Sequence, residues 1–245
     1  MYVDIESLER ATLDAVAPQA VEELPDWLLP FDESTVGRAI SAVPLLHSPQ
    51  QSTGISQIVE RYAMRGLRTQ FRVADVSGLA ALHSELSKNG FKPQQPTLTM
   101  VAQASGIKPK PTNFQVECSL QPTTAWKSVY LAAEFDPVDG ANRVKALSRG
   151  KHAVYAWVSD DSGPIAAGAG SFSHGWASFH GLRTLERARR KGLAQALIQI
   201  FVTQAMDRGL ENCFLQVEEA NRGAVGLYER LGFQTAWRYH YWRQA

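Results

Sequence analysis

One sequence pattern occurs twice in this chain, about 142 residues apart. AMRGLRTQFRV at 63–73 resembles MDRGLENCFLQV at 206–217, and ELSKNGF at 85–91 resembles LYERLGF at 227–233. The first pair is offset by 209 − 66 = 143 and the second by 232 − 90 = 142. One shift serves both within a single residue, which is what a duplicated helix–Gly–strand–helix–Gly-Phe–strand unit requires. Two unrelated αβαβ stretches closed by glycine C-caps would share the pattern but not the common shift.

The prolines of ASGIKPKPTNF, 104–114, break helices and weaken strand pairing. They set a domain boundary between 1–107 and 112–245. Before it, SLERATLDAVA, ISQIVERYAMRGL and SGLAALHSELSKNGF read as helices. DWLLPF and VGRAISA read as short strands around the turn DEST, and TQFRVA and TLTMVA as further strands. After it, NFQVECSL is a strand, and AWKSVYLAAEF and GANRVKALSRG are helices. HAVYAWVS, IAAGAGSFS and WASFHGLRT form an antiparallel meander. A helix at 192–208, strand CFLQVE, helix GAVGLYERLG and strand FQTAWRYHYW complete the chain. The fold class is therefore α/β (mixed α+β).

The chain of 245 residues is long enough to bury a sizeable core. A net charge of +1 gives no bulk attraction to nucleic acid or to a membrane surface. The N-terminus lacks an apolar signal region, and no apolar run approaches a bilayer-spanning length. Cys118 and Cys213 both lie in apolar strand-like runs and read as buried free thiols. That usage fits a reducing, cytoplasmic setting. The six histidines show no metal-ligand spacing, so no metal is expected.

RARRKGLAQAL, 187–197, places four basic residues where an apolar helix begins. Helix N-termini favour acidic side chains, so basic ones there imply an anion supplied from outside. The free amides of the first turn, Gly192, Ala194 and the charges of Arg189, Arg190 and Lys191 make a pyrophosphate cradle. It is neither a P-loop nor a Rossmann fingerprint. Taken alone, the turn also fits a solvated basic loop before an ordinary helix.

Arg189, Gly192 and Ala194 match the [Q/R]-x-x-G-x-[G/A] marker of the GNAT superfamily, the acetyl-CoA-dependent N-acetyltransferases. LQVEEANRGAVGLYERLGF, 215–233, resembles the family's downstream marker, with Asn221 and Tyr228 in the family positions. The resemblance covers roughly 112–245. It implies an open mixed sheet splayed around acetyl-CoA. Leu182, Arg183 and Thr184 would bond the pantetheine arm, and the amides around Arg190–Ala194, Leu193 included, would hold the pyrophosphate. Asn221 would contact the cofactor arm, and Tyr228 would protonate the departing thiolate. A phenol of pKa near ~10 is a workable acid for that purpose. The family glutamate position falls near Ser178, so no carboxylate occupies it. His180, two residues on along the same strand face, is a candidate base beside Glu117, Glu218 and Glu219.

With the repeat shift, Tyr228 maps to Leu86, Gly192 to Pro49 and Arg189 to Leu46. The first half therefore reads as a degenerate GNAT-like copy without the cofactor motif, giving one acetyl-CoA per chain. Trp27, Asp32 and Arg38 lie near its hairpin, placed either to shape a substrate pocket or to fill the core. In the tail, Trp237, Tyr239 and Tyr241 alternate with Arg238, His240 and Trp242. The expected activity is direct acetyl transfer to a primary amine in a ternary complex. The acceptor is a small molecule, a peptide or a protein amine, and neither nucleic acid nor membrane is a partner. The chain is expected to be a monomer, as an intramolecular pseudo-dimer, or a homodimer. The alternative is a non-catalytic acyl-CoA sensor or scaffold.

Overall fold

The structure, a computed structural model, describes residues 3–48, 54–108 and 112–244. Pro49, Pro109 and Pro111 lie outside the described residues. Helix α1 (Ile5–Ala15) leads into strands β1 (Ala20–Leu24) and β2 (Trp27–Phe31), helix α2 (Gly37–Ile40) and strand β3 (Val43–Pro44). Helix α3 (Ile55–Ala63), strand β4 (Gln70–Ala74), helix α4 (Ala80–Lys88) and strand β5 (Phe91–Gln103) follow. The second half begins with β6 (Glu117–Ser119), α5 (Thr124–Tyr130) and α6 (Pro137–Ser148). Its meander is β7 (Ala153–Asp160), β8 (Gly163–Ser173) and β9 (Trp176–Thr184). Helix α7 (Leu193–Asp207), strand β10 (Asn212–Glu218), helix α8 (Arg222–Arg230) and strand β11 (Gln234–Gln244) complete it.

Three local readings of the sequence change. VGRAISA is not a strand: the Ala39 amide bonds the Val36 carbonyl at 2.8 Å and Ser41 Oγ bonds Gly37 O at 2.7 Å. Those short-range bonds curl the segment into α2. Strand β1 was hidden by the paired glutamates of AVEEL, which face solvent and meet Arg10 and Arg65. NFQVECSL keeps only Glu117–Ser119 as a strand, at the sheet edge, and there Cys118 is exposed while Cys213 is buried.

The repeat is visible in the elements themselves. Strand β4 begins at Gln70 and β10 at Asn212, an offset of 142; α4 begins at Ala80 and α8 at Arg222, again 142. The halves do not lie side by side. Among the described residues, eight strands form one sheet in the order β4-β11-β5-β10-β9-β8-β7-β6. Strand β5 pairs antiparallel with β10 from Asn212↔Gln103 to Glu218↔Thr97. Strand β11 pairs antiparallel with β4 from Tyr239↔Ala74 to Arg243↔Gln70. Each half thus sets its last strand against the other half's penultimate strand. The exchanged strands pair with each other, and Tyr239 stands opposite Thr97. Because 239 − 97 = 142, the two are repeat counterparts, and a pseudo-twofold axis passes through that pair. A three-stranded sheet, β1-β2-β3, joins β4 by a parallel bridge at Ala42↔Phe71.

Alternation along the strands sends side chains to two cores. Met100, Phe179, Phe201, Leu215 and Phe233 pack on the α7 face. Trp27, Phe71, Trp176, Phe214 and Tyr239 pack on the opposite face, so that core mixes residues of both halves. Helix α1 closes it, with Trp176 Nε1 donating to Ser7 Oγ at 2.9 Å. Beneath Tyr239, Arg72 forms a fully buried ion pair with Glu9 of α1, one of its two bonds measuring 3.0 Å. Removing one member of such a pair costs about 3–5 kcal/mol.

Residues 112–245 expressed alone would lack β5 and leave β10 and β11 with open edges. That fragment is expected to aggregate and melt without a cooperative transition, and mixing with residues 1–107 should restore one. Circular dichroism and size-exclusion chromatography check this.

Candidate active site

Strands β9 and β10 run parallel from Trp176/Asn212 to Phe179/Leu215 and then part. The cause is a bulge in β9. Its register against β8 slips between Ala169↔His180 and Ala167↔Arg183, so Gly181 and Leu182 face Gly168 alone. Gly181 takes φ +62, and a Cβ there would sit 2.6 Å from Leu147 Cδ1 and 3.0 Å from the Tyr130 hydroxyl oxygen. That hydroxyl donates to the Gly181 carbonyl at 2.8 Å and fixes the kink. The strands splay beyond it around a cleft of about 1110 Å³.

Helix α7 points its first turn into this cleft. Its N-cap is Gly192 at φ 89, preceded by Arg190 at φ 63. A Cβ on Gly192 would touch no protein atom within 4 Å, and glycine there serves the left-handed backbone. Helices α5, α6 and α8 are capped by the side chains of Thr123, Asp136 and Asn221. Helix α7 has no side-chain cap and no acidic residue in its first turn. The first intrahelical bond is Ala196 N to Gly192 O at 3.0 Å, and earlier amides have no intrahelical acceptor. Arg189 reaches Glu134 and Glu186 only at 4.0 Å.

The cleft wall brings together most of the residues singled out in the sequence. Leu182, Arg183 and Thr184 line it from β9, and Arg189, Arg190, Gly192, Leu193 and Ala194 from the turn and α7. Arg183 is held by Asp139 at 3.0 Å and lies 4.3 Å from the Phe135 ring centroid. Asn221 lines it while its Oδ1 accepts the Ala224 amide at 3.2 Å. Tyr228 lines it from α8, with its ring packed edge-on against Phe233. Burial pushes the Tyr228 phenol up to about 12, so it stays protonated well above neutral pH. Lys191 belongs to the turn but does not line the cleft.

The base candidates separate. Glu117 lies on the far edge strand, bonded to Ser159, and Glu219 turns toward Arg238 at 3.7 Å. Glu218 lines the cleft and accepts from Gln95 Nε2 at 2.7 Å. His180 is buried behind the wall, edge-on to Phe214, rather than lining it. Burial, then the nearby Arg38 charge, holds its imidazole well below the usual histidine range. Cys213 is buried, with its thiol raised to about 12 by burial, and belongs to the core.

The first half also contributes to the wall, through Thr35–Arg38, Gln95 and Thr97. The sequence reading passed over Thr97, Thr99 and Gln216. The signal present was polar residues at every second position on one face of the apolar strands: Thr97 and Thr99 in TLTMVA, Gln216 and Glu218 in CFLQVE. Trp27 fills the core, Asp32 is buried in an ion pair with Arg149, and Arg38 alone of that trio lines the cleft. Counting by 143 sets Pro49 opposite Gly192, but α3 starts 138 residues before α7. Its N-cap is therefore Gly54, at φ −72, and the Ile55 amide lies 3.5 Å from the Glu85 carboxylate. Leu86, opposite Tyr228, is core. Among the described residues, no group of three His, Cys, Asp or Glu is placed to hold a metal ion, and no helix is long and apolar enough to cross a membrane.

The sequence matches, over residues 3–242, the family described as "Probable histone acetyltransferase Rv0428c C-terminal". It is 22% identical over 243 residues to a Bacillus subtilis protein named "Uncharacterized N-acetyltransferase YobR", covering 97% of this chain and 98% of that one. A GCN5-related N-acetyltransferase structure from Kribbella flavida superposes with TM-score 0.70 at 14% identity, covering 99% of this chain and 96% of that one. A tandem GNAT protein from the clavulanic acid biosynthesis pathway superposes with TM-score 0.60 at 14% identity, covering 97% and 94%.

Gly181→Ala tests the bulge. A left-handed residue with a blocked Cβ should cost about 1–3 kcal/mol and impair ligand binding. Gly209→Ala, also left-handed at φ +67 but with open space around it, should cost only ~1–2 kcal/mol and leave binding intact. Thermal melts and ligand titrations separate the two.

Proposed function

The chain belongs to the family described as "Probable histone acetyltransferase Rv0428c C-terminal", within the GNAT superfamily, and is an acyltransferase; from that premise we propose that it transfers an acetyl group from acetyl-CoA directly to a primary amine. The observation that carries this reading is the uncapped, acid-free start of α7 at a left-handed glycine, opening into the splay between β9 and β10. These features fit acetyl-CoA. An oxyanion suits the first-turn amides, and the arginines nearby supply charge-assisted bonds. The unpaired edge of β9 at Leu182–Thr184 offers main-chain partners to an amide-bearing arm. Lys191 adds charge to the same turn, and Asn221 borders the arm.

Acetyl-CoA supplies the activated thioester. The chain's residues orient it and manage protons. Tyr228, kept neutral by burial, holds a proton for the departing sulfur. On the opposite side, Glu218 is the carboxylate among the cleft-lining residues and accepts the proton that the amine must lose before it attacks. His180, kept unprotonated by burial behind that wall, is assigned no direct contact with the amine. Acceptor and donor meet in one ternary complex because the splay opens to both faces of the sheet. The amine belongs to a small molecule, a peptide or a protein.

The first half keeps the scaffold without the phosphate cradle, with Gly54 outside the left-handed region and Leu86 in place of a phenol. We expect isothermal titration to give one acetyl-CoA per chain; two equivalent sites would refute the silent copy.

Tyr228→Phe should lower kcat about 10²-fold with the acetyl-CoA KM nearly unchanged, as loss of a general acid predicts. Ionising the phenol removes its proton, and burial moves that event upward. Wild-type kcat should therefore show no tyrosine-dependent fall below about pH 11. Steady-state kinetics across pH check both, and a wild type that binds acetyl-CoA but transfers to no amine of a broad panel, with Tyr228→Phe unchanged from it, would point to a sensor instead.

A further inference from the structure

The sheet face turned away from α7 carries polar atoms that the fold leaves without partners. Of the twelve buried unpartnered side-chain atoms among the described residues, five converge here: Arg38 Nε, Thr99 Oγ1, His180 Nε2, and both amide atoms of Gln216. Register puts them together. Thr99 stands opposite Gln216 on β5 and β10. Phe214 pairs with Ser178, so Gln216 and His180 lie at one level on adjacent strands. Orphaned buried polar atoms are rare; Arg38 and Gln216 line the cleft, Thr99 and His180 stand behind that wall, and together they mark a place shaped for a polar ligand.

Arg38 gives the chamber its charge. No carboxylate lies within ion-pair reach of it among the described residues, and its field acts on both His180 and Tyr239. Gly37 explains its placement: a Cβ there would sit 2.7 Å from the Tyr241 ring, so α2 lies directly on that ring. The hydroxyls of Tyr239 and Tyr241 are 3.5 Å apart beneath it. The groups packed around Arg38, namely His180, Gln216, Thr99 and the protonated Tyr239, are neutral, and the next cation on that face, Arg243, is hydrogen-bonded to Gln70, Gln94 and Gln95. At the cleft mouth stands one negative charge, Glu218.

We propose that Arg38 and this chamber bind a carboxylate of the acceptor, and that Glu218 faces its ammonium, so the amine substrate is amino-acid-like. A guanidinium fork matches a carboxylate's two oxygens, and Arg38 has no carboxylate partner among the described residues. Arg38 belongs to the half without the cofactor motif, so acceptor choice is assigned to that half. The inference rests on the acyl-transfer reading of the cleft but is separable from it.

The test compares the twenty common L-amino acids with their matched carboxamides, in two assays. Acetyl transfer measures kcat/KM with acetyl-CoA, and thermal shift measures binding without it. At least one acid is expected to exceed its amide by about 10- to 100-fold, the range for losing a charge-assisted bond. Arg38→Leu should bring that acid-to-amide ratio toward one through KM, and Arg38→Lys should restore part of it. An Arg38→Leu protein that melts normally but weakens acid and amide equally overturns the proposal, as does a wild type that binds and acetylates amides as well as acids. So does a wild type that no acid stabilises or is acetylated on. Failure of acetyl-CoA itself to bind, with acids still stabilising the protein through Arg38, would sink the acyl-transfer reading and leave the carboxylate site standing.

Discussion

Everything in this molecule hangs from the antiparallel pair made by β5 and β11. Each of these strands belongs by sequence to one repeat and by hydrogen bonding to the other. Their pairing fixes the axis at Thr97 and Tyr239, and with it the relative position of every other element. The mixed core is a consequence: Trp27, Phe71, Trp176 and Phe214 share one apolar cluster only because the exchanged strands tie both halves to one sheet.

The cleft is the second consequence. A parallel strand pair can part only if something ends its ladder, and here the bulge at Gly181 does so. Once β9 leaves β10, two different environments open on the two faces. The α7 side offers backbone amides at a helix start and a buried phenol. The far side offers unpaired side-chain donors and acceptors under a roof built by α2. A group-transfer site needs both, since donor and acceptor must meet from opposite directions at one opening.

What the sequence disclosed follows from what is local. The Arg-rich turn with its glycine was legible because it depends on neighbours a few residues away, and Asn221 and Tyr228 stood out through the family resemblance of 215–233. So were the meander β7–β9 and the C-terminal strand–helix–strand unit, where alternation and glycine punctuation are strong. The duplication was legible from two short matches. The exchange of strands was not, because β5 reads equally well as the last strand of its own half; only long-range register decides. The polar chamber escaped for the same reason. Thr99 and Gln216 look like minor irregularities in two separate apolar strands, and His180 reads only as a candidate base, until the sheet sets the three side by side. Pro93 and Pro96 hid the length of β5, which runs through both with Gln95 at φ 51 between them. Short contacts also misled the reading of α2, whose four residues follow from a tight turn rather than from periodicity.

The position of Thr97 opposite Tyr239 has a historical implication. Two identical chains, each holding one repeat and trading final strands about a true dyad, would build this same central sheet. Joining them end to end turns a symmetric partnership into one polypeptide and frees the copies to diverge. Under that arrangement neither copy can be discarded, because the last strand of each is the inner framework of its twin. Divergence is then free to act on peripheral pieces such as the short helix α2 that bears Arg38, while the interlocked ribbons are held fixed by the need to fold at all.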